Sequence, residues 1–232
     1  LPGLARNLAF SLSLYTGQMC TAPQNIYVPR GGIETPEGRK SFDEVANAIA
    51  EGVRKLLGDP ARAVEVLGAV QNRGVLDRLD RARGLGPILL DTQVVPHPLF
   101  PDATVRTPLI VKLDARDGDK YLSEWFGPIA FVIATDSTDQ RLAIARETAK
   151  RHGALTLALY SKDPKVVDRA IEVAEDAGVA LSINLTSGVF VNQSAAFSDF
   201  HGTGANPAAN AALTDAAFVA NRFRVVQHRM HV

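Results

Sequence analysis

A single cysteine, Cys20, lies in the segment Thr16-Gly17-Gln18-Met19-Cys20-Thr21-Ala22-Pro23-Gln24-Asn25, and it is the only thiol among 232 residues. One cysteine closes no internal disulfide and makes no metal cluster by itself, so no metal site is expected. What remains is nucleophilic chemistry. A thiolate attacks a carbonyl carbon readily, although at an ordinary pKa of about 8.5 only a few per cent of the thiol is ionised at neutral pH. Attack on an aldehyde gives a tetrahedral thiohemiacetal, whose oxyanion needs donors aimed at it. That adduct reaches a thioester only if a hydride leaves, which requires an oxidant such as a nicotinamide cofactor. Water or a second thiol then releases the product. Gly17 and Thr21 put little bulk beside the sulfur, so a substrate can approach it.

Two further stretches place polar groups beside turns. Ser123-Glu124-Trp125-Phe126-Gly127-Pro128-Ile129 sets a carboxylate and two aromatic rings ahead of a Gly-Pro turn. Ala177-Gly178-Val179-Ala180-Leu181-Ser182-Ile183-Asn184 ends an apolar run on a carboxamide, which by itself reads as a partner of the following turn. Histidines are available as bases at His97, His152, His201, His228 and His231. None lies in a segment that marks it as a partner of Cys20, and they read as solvated or capping groups. His201-Gly202-Thr203-Gly204 has the look of an esterase oxyanion loop, but no Gly-x-Ser-x-Gly accompanies it. Gly31-Gly32 reads as a turn, with no lysine and hydroxyl residue after it to make a phosphate cradle.

Gly-Gln-x-Cys with a small residue after it is similar to the nucleophile segment of the aldehyde dehydrogenase family. Glu-x-Phe-Gly-Pro further along resembles that family's cofactor segment, and Ala177–Asn184 resembles its Ala-Gly-x-Val-x-Val-Asn stretch. The resemblance covers essentially the whole chain and implies roles for particular residues. Cys20 would be the nucleophile. Glu124 would accept hydrogen bonds from the ribose hydroxyls of NAD or NADP, with Phe126 beside the nicotinamide. Asn184 and Phe197 would shape the substrate channel.

Where most members carry Pro-Phe-Gly-Gly and then Ser-Gly, this chain has Ala196-Phe197-Ser198-Asp199-Phe200-His201-Gly202-Thr203-Gly204. Phe197 fits, but the paired glycines are replaced, so the substrate-entry loop is expected to differ from the common type. That departure, with Cys20-Thr21-Ala22-Pro23-Gln24-Asn25 and Phe200-His201-Gly202-Thr203-Gly204-Ala205-Asn206-Pro207, is similar to the family's phenylacetate-breakdown branch. There the implied substrate is a small reactive semialdehyde carried on coenzyme A. The family's general-base Glu, in a Glu-Leu-Gly-Gly motif, lies upstream of the nucleophile. So do the Asn that completes the oxyanion hole and most of the dinucleotide-binding sheet. Neither Glu-Leu-Gly-Gly nor Gly-x-Gly-x-x-Gly occurs here. The chain, which opens at Leu1, is therefore expected to be the C-terminal, catalytic part of a longer polypeptide. By itself it is expected to oxidise no aldehyde and to hold NAD or NADP weakly at best.

The elements that must position these residues alternate between helix and buried strand. Leu4, Leu8, Leu12 and Tyr15 recur at helical spacing and predict a helix over 4–19. A short strand over 24–28 follows, stopped by Pro29 to Gly32. Ser41 and Glu44 form a capping box before the stripe Phe42, Val45, Ala46, Ile49, Val53, Leu56 and Leu57, which Gly58-Asp59-Pro60 closes. A charged helix is expected over 73–83. Apolar runs of strand length stand at 88–90, 109–113, 129–134, 155–160 and 179–184. Helices separate the last three, over about 138–152 and 164–177, the second capped by Asp163, started by Pro164 and ended by Gly178. Strands alternating with helices imply an α/β fold, a layered parallel sheet with flanking helices, of the kind that forms the family's catalytic domain.

Residues 186–216 are rich in Ala, Ser, Asn and Gly and read as a long ordered loop. Arg222 to Arg229 largely alternates and reads as a terminal strand with one wet face. The expected organisation is a catalytic domain over 1–218 and a terminal strand over 219–232. A strand of that kind would pair with another subunit in a homo-oligomer. A non-catalytic assembly module built on the same strand is the alternative of a different class, with Arg222, Arg224 and Arg229 as edge charges.

Composition excludes other classes. Lys plus Arg and Asp plus Glu both number 25, so bulk charge favours neither nucleic acid nor an anionic membrane as a partner. No apolar run reaches the ~18–20 residues that span a bilayer. One free thiol and no signal-like start point to a reducing cytoplasm.

Overall fold

Seven consecutive residues of one strand, Ile129–Thr135, are buried, and the first half of the molecule is built around them. The computed structural model describes residues 1–186 and 226–228. Contacts divide the chain into two units, Leu1–Ser137 and Thr138–Val232.

The first unit begins with α1 (Pro2–Ser13), β1 (Asn25–Pro29) and a hairpin of β2 (Ile33–Thr35) and β3 (Gly38–Lys40). It continues with α2 (Phe42–Leu56), α3 (Pro60–Val66), α4 (Arg73–Ala82), β4 (Ile88–Leu90) and β5 (Leu109–Asp114). A short α5 (Gly118–Tyr121) leads to β6 (Ile129–Thr135). The sheet order is β1-β6-β5-β4. β1 and β5 both run parallel to β6. A nearly all-apolar strand such as β6, polar only at Thr135, is what a central strand covered on both faces requires. Leu8 and Leu12 of α1 and Val45, Ile49 and Val53 of α2 pack with Val28, Ile110, Ala130 and Val132 of the sheet. The capping box starts α2 as expected: the Ser41 hydroxyl accepts from Glu44 N, and a Glu44 carboxylate oxygen accepts from Ser41 N.

Four local expectations change. The first helix stops at Ser13 instead of running to 19, because Tyr15, Thr16 and Gly17 all take left-handed backbone angles. Gly58-Asp59-Pro60 ends α2 and also starts α3, with Asp59 as the N-cap and Pro60 in the first turn. An Asp-Pro pair suits a helix start as well as a stop. The hairpin of β2 and β3 is an element that the short polar run from Ile33 to Lys40 does not announce. β4 runs antiparallel to β5. The connection between them carries no helix to serve as a crossover, so the chain turns back alongside itself.

At the carboxyl ends of β1, β5 and β6, Arg30 reaches Asp114 at 2.6 Å and Asp136 at 2.7 Å, and Arg116 reaches Asp114 at 2.8 Å. The Arg116 side chain, its backbone N–H and Arg30 hold the Asp114 carboxyl far below the usual carboxylate range. A carboxylate depressed on folding stabilises above its unfolded pKa and loses that contribution as pH falls through the folded one. Asp114→Asn is therefore expected to cost about 1 kcal/mol at neutral pH, since the pair is partly solvated. Thermal melts should show the gap between the variant and the parent closing as pH drops below the ordinary Asp value of 3.8.

The second unit contains α6 (Thr138–His152), β7 (Thr156–Leu159), α7 (Pro164–Ala177), β8 (Ala180–Ile183) and β9 (Val226–His228). The three strands form a parallel sheet in the order β7-β8-β9. Asp163 caps α7 by accepting from Lys165 N, and Gly178 ends it at φ 66°. Val167, Ala170 and Ala174 of α7 pack with Leu181 and Ile183 of β8. Asp176 pairs with Arg146 and Lys150, and Asp139 with Arg169, so α6 and α7 are tied along their polar faces. The described part of the terminal strand, Val226–His228, adds to β8 of its own unit. The loop after Thr186, Phe197, the 218/219 boundary and Arg222, Arg224 and Arg229 lie outside the described residues.

Candidate active site

Cys20 sits between the left-handed turn that ends α1 and the start of β1. Three successive residues with positive φ are costly, and a cost of that kind persists where the surroundings fix it. Here the fixing bonds are long-range. The Thr16 hydroxyl donates to the Gly68 carbonyl, and the Gln18 carboxamide donates to the Ala69 and Tyr15 carbonyls while accepting from Gln71 N. Cys20 itself is exposed. Partial burial pushes its thiol above the ordinary value, outweighing the backbone N–H groups of Cys20 and Thr21, which favour the thiolate. Accessibility is present.

The segment from Ser123 to Pro128 joins α5 to β6. Gln24, four residues beyond the cysteine, grips it. Gln24 Nε2 donates to the carbonyls of Tyr121 and Ser123 at 3.0 Å each, and its Oε1 accepts from Trp125 N at 2.7 Å. Asn25 adds a bond to Tyr121 O. Arg78 of α4 donates to Phe126 O at 2.8 Å, and Arg81 lies 5.2 Å from the Trp125 ring centroid, a cation–π distance. Trp125 meets Phe131 edge to face at 6.1 Å between centroids and donates its indole N–H to Lys120 O. With the backbone fixed on both sides, the side chains of Glu124 and Phe126 point outward. Glu124 is exposed and makes no hydrogen bond or ion pair among the described residues, and Phe126 is 37% exposed.

The two segments touch. A Cβ built on Gly17 would stand 2.6 Å from Gly127 O and 2.7 Å from Pro128 Cα, so the turn before Cys20 lies directly on the Gly-Pro turn. Gly127 in turn leaves no room for a side chain against Val75 of α4. Parallel pairing explains the meeting. Asn25 of β1 is opposite Phe131 of β6, so the chain entering each strand arrives at the same end of the sheet.

Of the residues expected at a site, Cys20, Glu124 and Phe126 thus belong to one unit and one end of its sheet. Asn184 belongs to the second unit, is 6% exposed and has φ 56°. Its carboxamide accepts from Ser161 N at 2.9 Å and donates to Ser161 O at 2.8 Å, so its partner is the exit of β7 and not the turn that follows it. Phe197 is outside the described residues. His97 caps a turn, its Nδ1 accepting from the N–H groups of Leu99 and Phe100. Among the described residues no group of three or more His, Cys, Asp or Glu side chains is placed to hold a metal ion. No described helix is long and apolar enough to cross a membrane. Gln18, Gln24 and Arg78 do not stand out as site residues in the sequence. Two of them lie inside the cysteine segment, but the distant loops they hold are visible only in the fold.

An exposed thiol thus stands at one end of the sheet, with an exposed carboxylate and an aromatic ring on the adjoining turn. Residues 2–212 match the aldehyde dehydrogenase family model. The chain belongs to the aldehyde dehydrogenase family. It is similar to an NAD-dependent aldehyde dehydrogenase from Burkholderia multivorans, with 68% identity and a TM-score of 0.85 over 100% of this chain and 41% of that one. A Pseudomonas aeruginosa protein described as a probable coniferyl aldehyde dehydrogenase is 27% identical over 78% of this chain and 35% of its own length. Proline utilization A from Bdellovibrio bacteriovorus shares the fold, with a TM-score of 0.59 and 21% identity over 82% of this chain and 19% of that one. The chain thus spans less than half the length of each of these proteins.

Proposed function

We propose that this chain is the nucleophile-bearing part of an enzyme that oxidises an aldehyde through Cys20, with NAD as the oxidant. The observation that carries the reading is the contact of the Cys20 turn with the Glu124–Pro128 turn, which puts the thiol and the cofactor-facing residues at one end of one sheet. The residues present fit a nicotinamide nucleotide. Glu124 is an unpaired, exposed acceptor suited to ribose hydroxyls, and Phe126 offers a ring face beside it. The NAD dependence named for the Burkholderia multivorans protein at 68% identity favours NAD over NADP.

Cys20 thiolate would attack the aldehyde carbon, the carbonyl electron pair moving onto the oxygen, to which the backbone N–H of Cys20 would donate. When bound, the nicotinamide supplies the acceptor for the hydride that leaves the thiohemiacetal carbon. The thioester then remains on Cys20 sulfur until water or a thiol cleaves it and returns the thiol. Glu124 and Phe126 orient and do not exchange protons. The exposure of Cys20 supports this reading over an assembly module, for which a buried, inert thiol is the expectation.

The finer reading places the chain in the branch of phenylacetic acid degradation protein PaaN. Cys20-Thr21-Ala22-Pro23-Gln24-Asn25 and the stretch from Phe200 to Pro207 support it. Its substrate would be a semialdehyde from aromatic-acid breakdown, carried on coenzyme A, in the cytoplasm. Residues 1–218 would be the catalytic domain, with Asn184 and Phe197 at the channel, and 219–232 the strand that joins subunits.

Alkylation of Cys20 tests the core of the proposal. In this chain alone, iodoacetamide labelling followed by intact mass should be slower at neutral pH than that of a free cysteine and still be accelerating at pH 9.0, because burial raises the thiol. In the full-length protein, NAD should change the rate and NADP should not. Absence of labelling in both forms would sink the reading.

A further inference from the structure

We infer that Gln24 is the positioning residue that holds Glu124 in register with Cys20, so that one carboxamide ties the nucleophile segment to the cofactor segment. The inference rests on the reading of Glu124 as a cofactor contact. Among the described residues, Gln24 is the side chain that bonds the backbone on both sides of Glu124: the carbonyl of Ser123 before it and the N–H of Trp125 after it. A third bond to Tyr121 O extends the grip to the end of α5. These bonds span sequence separations of 97, 99 and 101 residues, so no local turn replaces them.

The pattern also fixes the chemistry of the residue. Two carbonyls face the nitrogen of the carboxamide and one N–H faces its oxygen, so both ends of the amide are used and its orientation is determined. A glutamate of the same shape would set an oxygen against two carbonyls. Meanwhile the backbone of Gln24 is anchored in the sheet, where its carbonyl accepts from Phe131 N at 2.8 Å. The side chain therefore reaches from a fixed strand to the loop, and with only Thr21, Ala22 and Pro23 between Gln24 and Cys20, the loop and the thiol share one anchor. Arg78 and Arg81 also hold this loop, but they come from α4, far from the cysteine segment in sequence.

Two experiments test this. In the chain itself Trp125 is the only tryptophan, so its fluorescence reports on the loop. Gln24→Met and Gln24→Glu should each make Trp125 more accessible to acrylamide while far-UV circular dichroism is unchanged. Quenching identical to the parent would overturn the inference. Where either variant does not accumulate as folded protein, Gln24→Asn, which keeps the amide and shortens its reach, is read in the same way. In the full-length enzyme Gln24→Met should raise KM for NAD roughly tenfold, the worth of about one lost hydrogen bond, with KM for the aldehyde little changed. Glu124→Gln should raise KM for NAD as well, and the double variant should be no worse than the larger single effect, because one residue acts through the other. Full additivity would overturn the positioning role. No response to Glu124→Gln, with Trp125 still released by Gln24→Met, would instead remove the cofactor reading and leave the loop anchor in place.

Discussion

Gly17→Ala is expected to destabilise the chain by about 3 kcal/mol and to displace the nucleophile. Two costs add. Gly17 has φ 61°, where a Cβ costs about 1–2 kcal/mol. The new methyl would also stand 2.6 Å from Gly127 O and 2.7 Å from Pro128 Cα, both backbone atoms that cannot swing aside, and overpacking of this kind costs about 1–3 kcal/mol. For a chain of this size each kcal/mol lowers the midpoint of thermal unfolding by about 2–4 °C, so a drop of about 6–12 °C is expected by calorimetry. Gly178→Ala is the control. It has φ 66° but no atom within 4 Å of its added Cβ, so it should cost only about 1 kcal/mol. Equal effects at the two glycines would mean that the Gly17 contact is slack. In the full-length enzyme, the same Gly17 variant should lose turnover well beyond its loss of stability, because the turn can relax only by moving Cys20 off the Gly127-Pro128 turn.

Cys20→Ala should lower turnover of the full-length enzyme at least about 10³-fold while leaving NAD affinity close to that of the parent. The residue is exposed and lies in a turn, so truncation leaves no buried cavity, and stability should change by less than about 0.5 kcal/mol. The split matters more than the loss. A large fall in activity with intact cofactor binding and an intact melt assigns Cys20 to covalent chemistry, whereas a loss of stability would assign it to packing. The chain alone carries no Glu-Leu-Gly-Gly, so it should show the same background with either residue at position 20. Turnover by the chain above its own Cys20→Ala control would contradict that.

The parts of this molecule legible in the sequence were those decided by local rules. Ser41 and Glu44 cap α2, Asp163 and Pro164 start α7, and Gly178 ends it, because each acts on backbone groups within a few residues. The buried runs at Leu109–Asp114 and Ile129–Thr135 could be read from composition alone. The stop after Ser13 could not, because Leu4, Leu8, Leu12 and Tyr15 keep helical spacing to the end. The left-handed turn is imposed by Gly68 and Ala69, far away in sequence. The antiparallel β4 depends likewise on how a long connection without a helix lies. At the site, Cys20, Glu124 and Phe126 announce themselves through segment chemistry. Gln24 does not, since a glutamine in a loop has no local signature and its significance is wholly a matter of what lies opposite.

The pairing of Asn25 with Phe131 has a consequence for how such an enzyme can change. The spacing between Cys20 and the Glu124 segment is written into a hydrogen-bonded ladder, in which one step of slip is about 3.3 Å and would turn the buried Val28 of β1 outward. Selection cannot adjust that distance gradually, so it is inherited whole or lost. The residues after Asn184, where this chain departs from the family's usual glycines, lie beyond that ladder in the sequence. On the proposed reading, the choice of aldehyde and the reacting distance are therefore set by separate stretches of the chain.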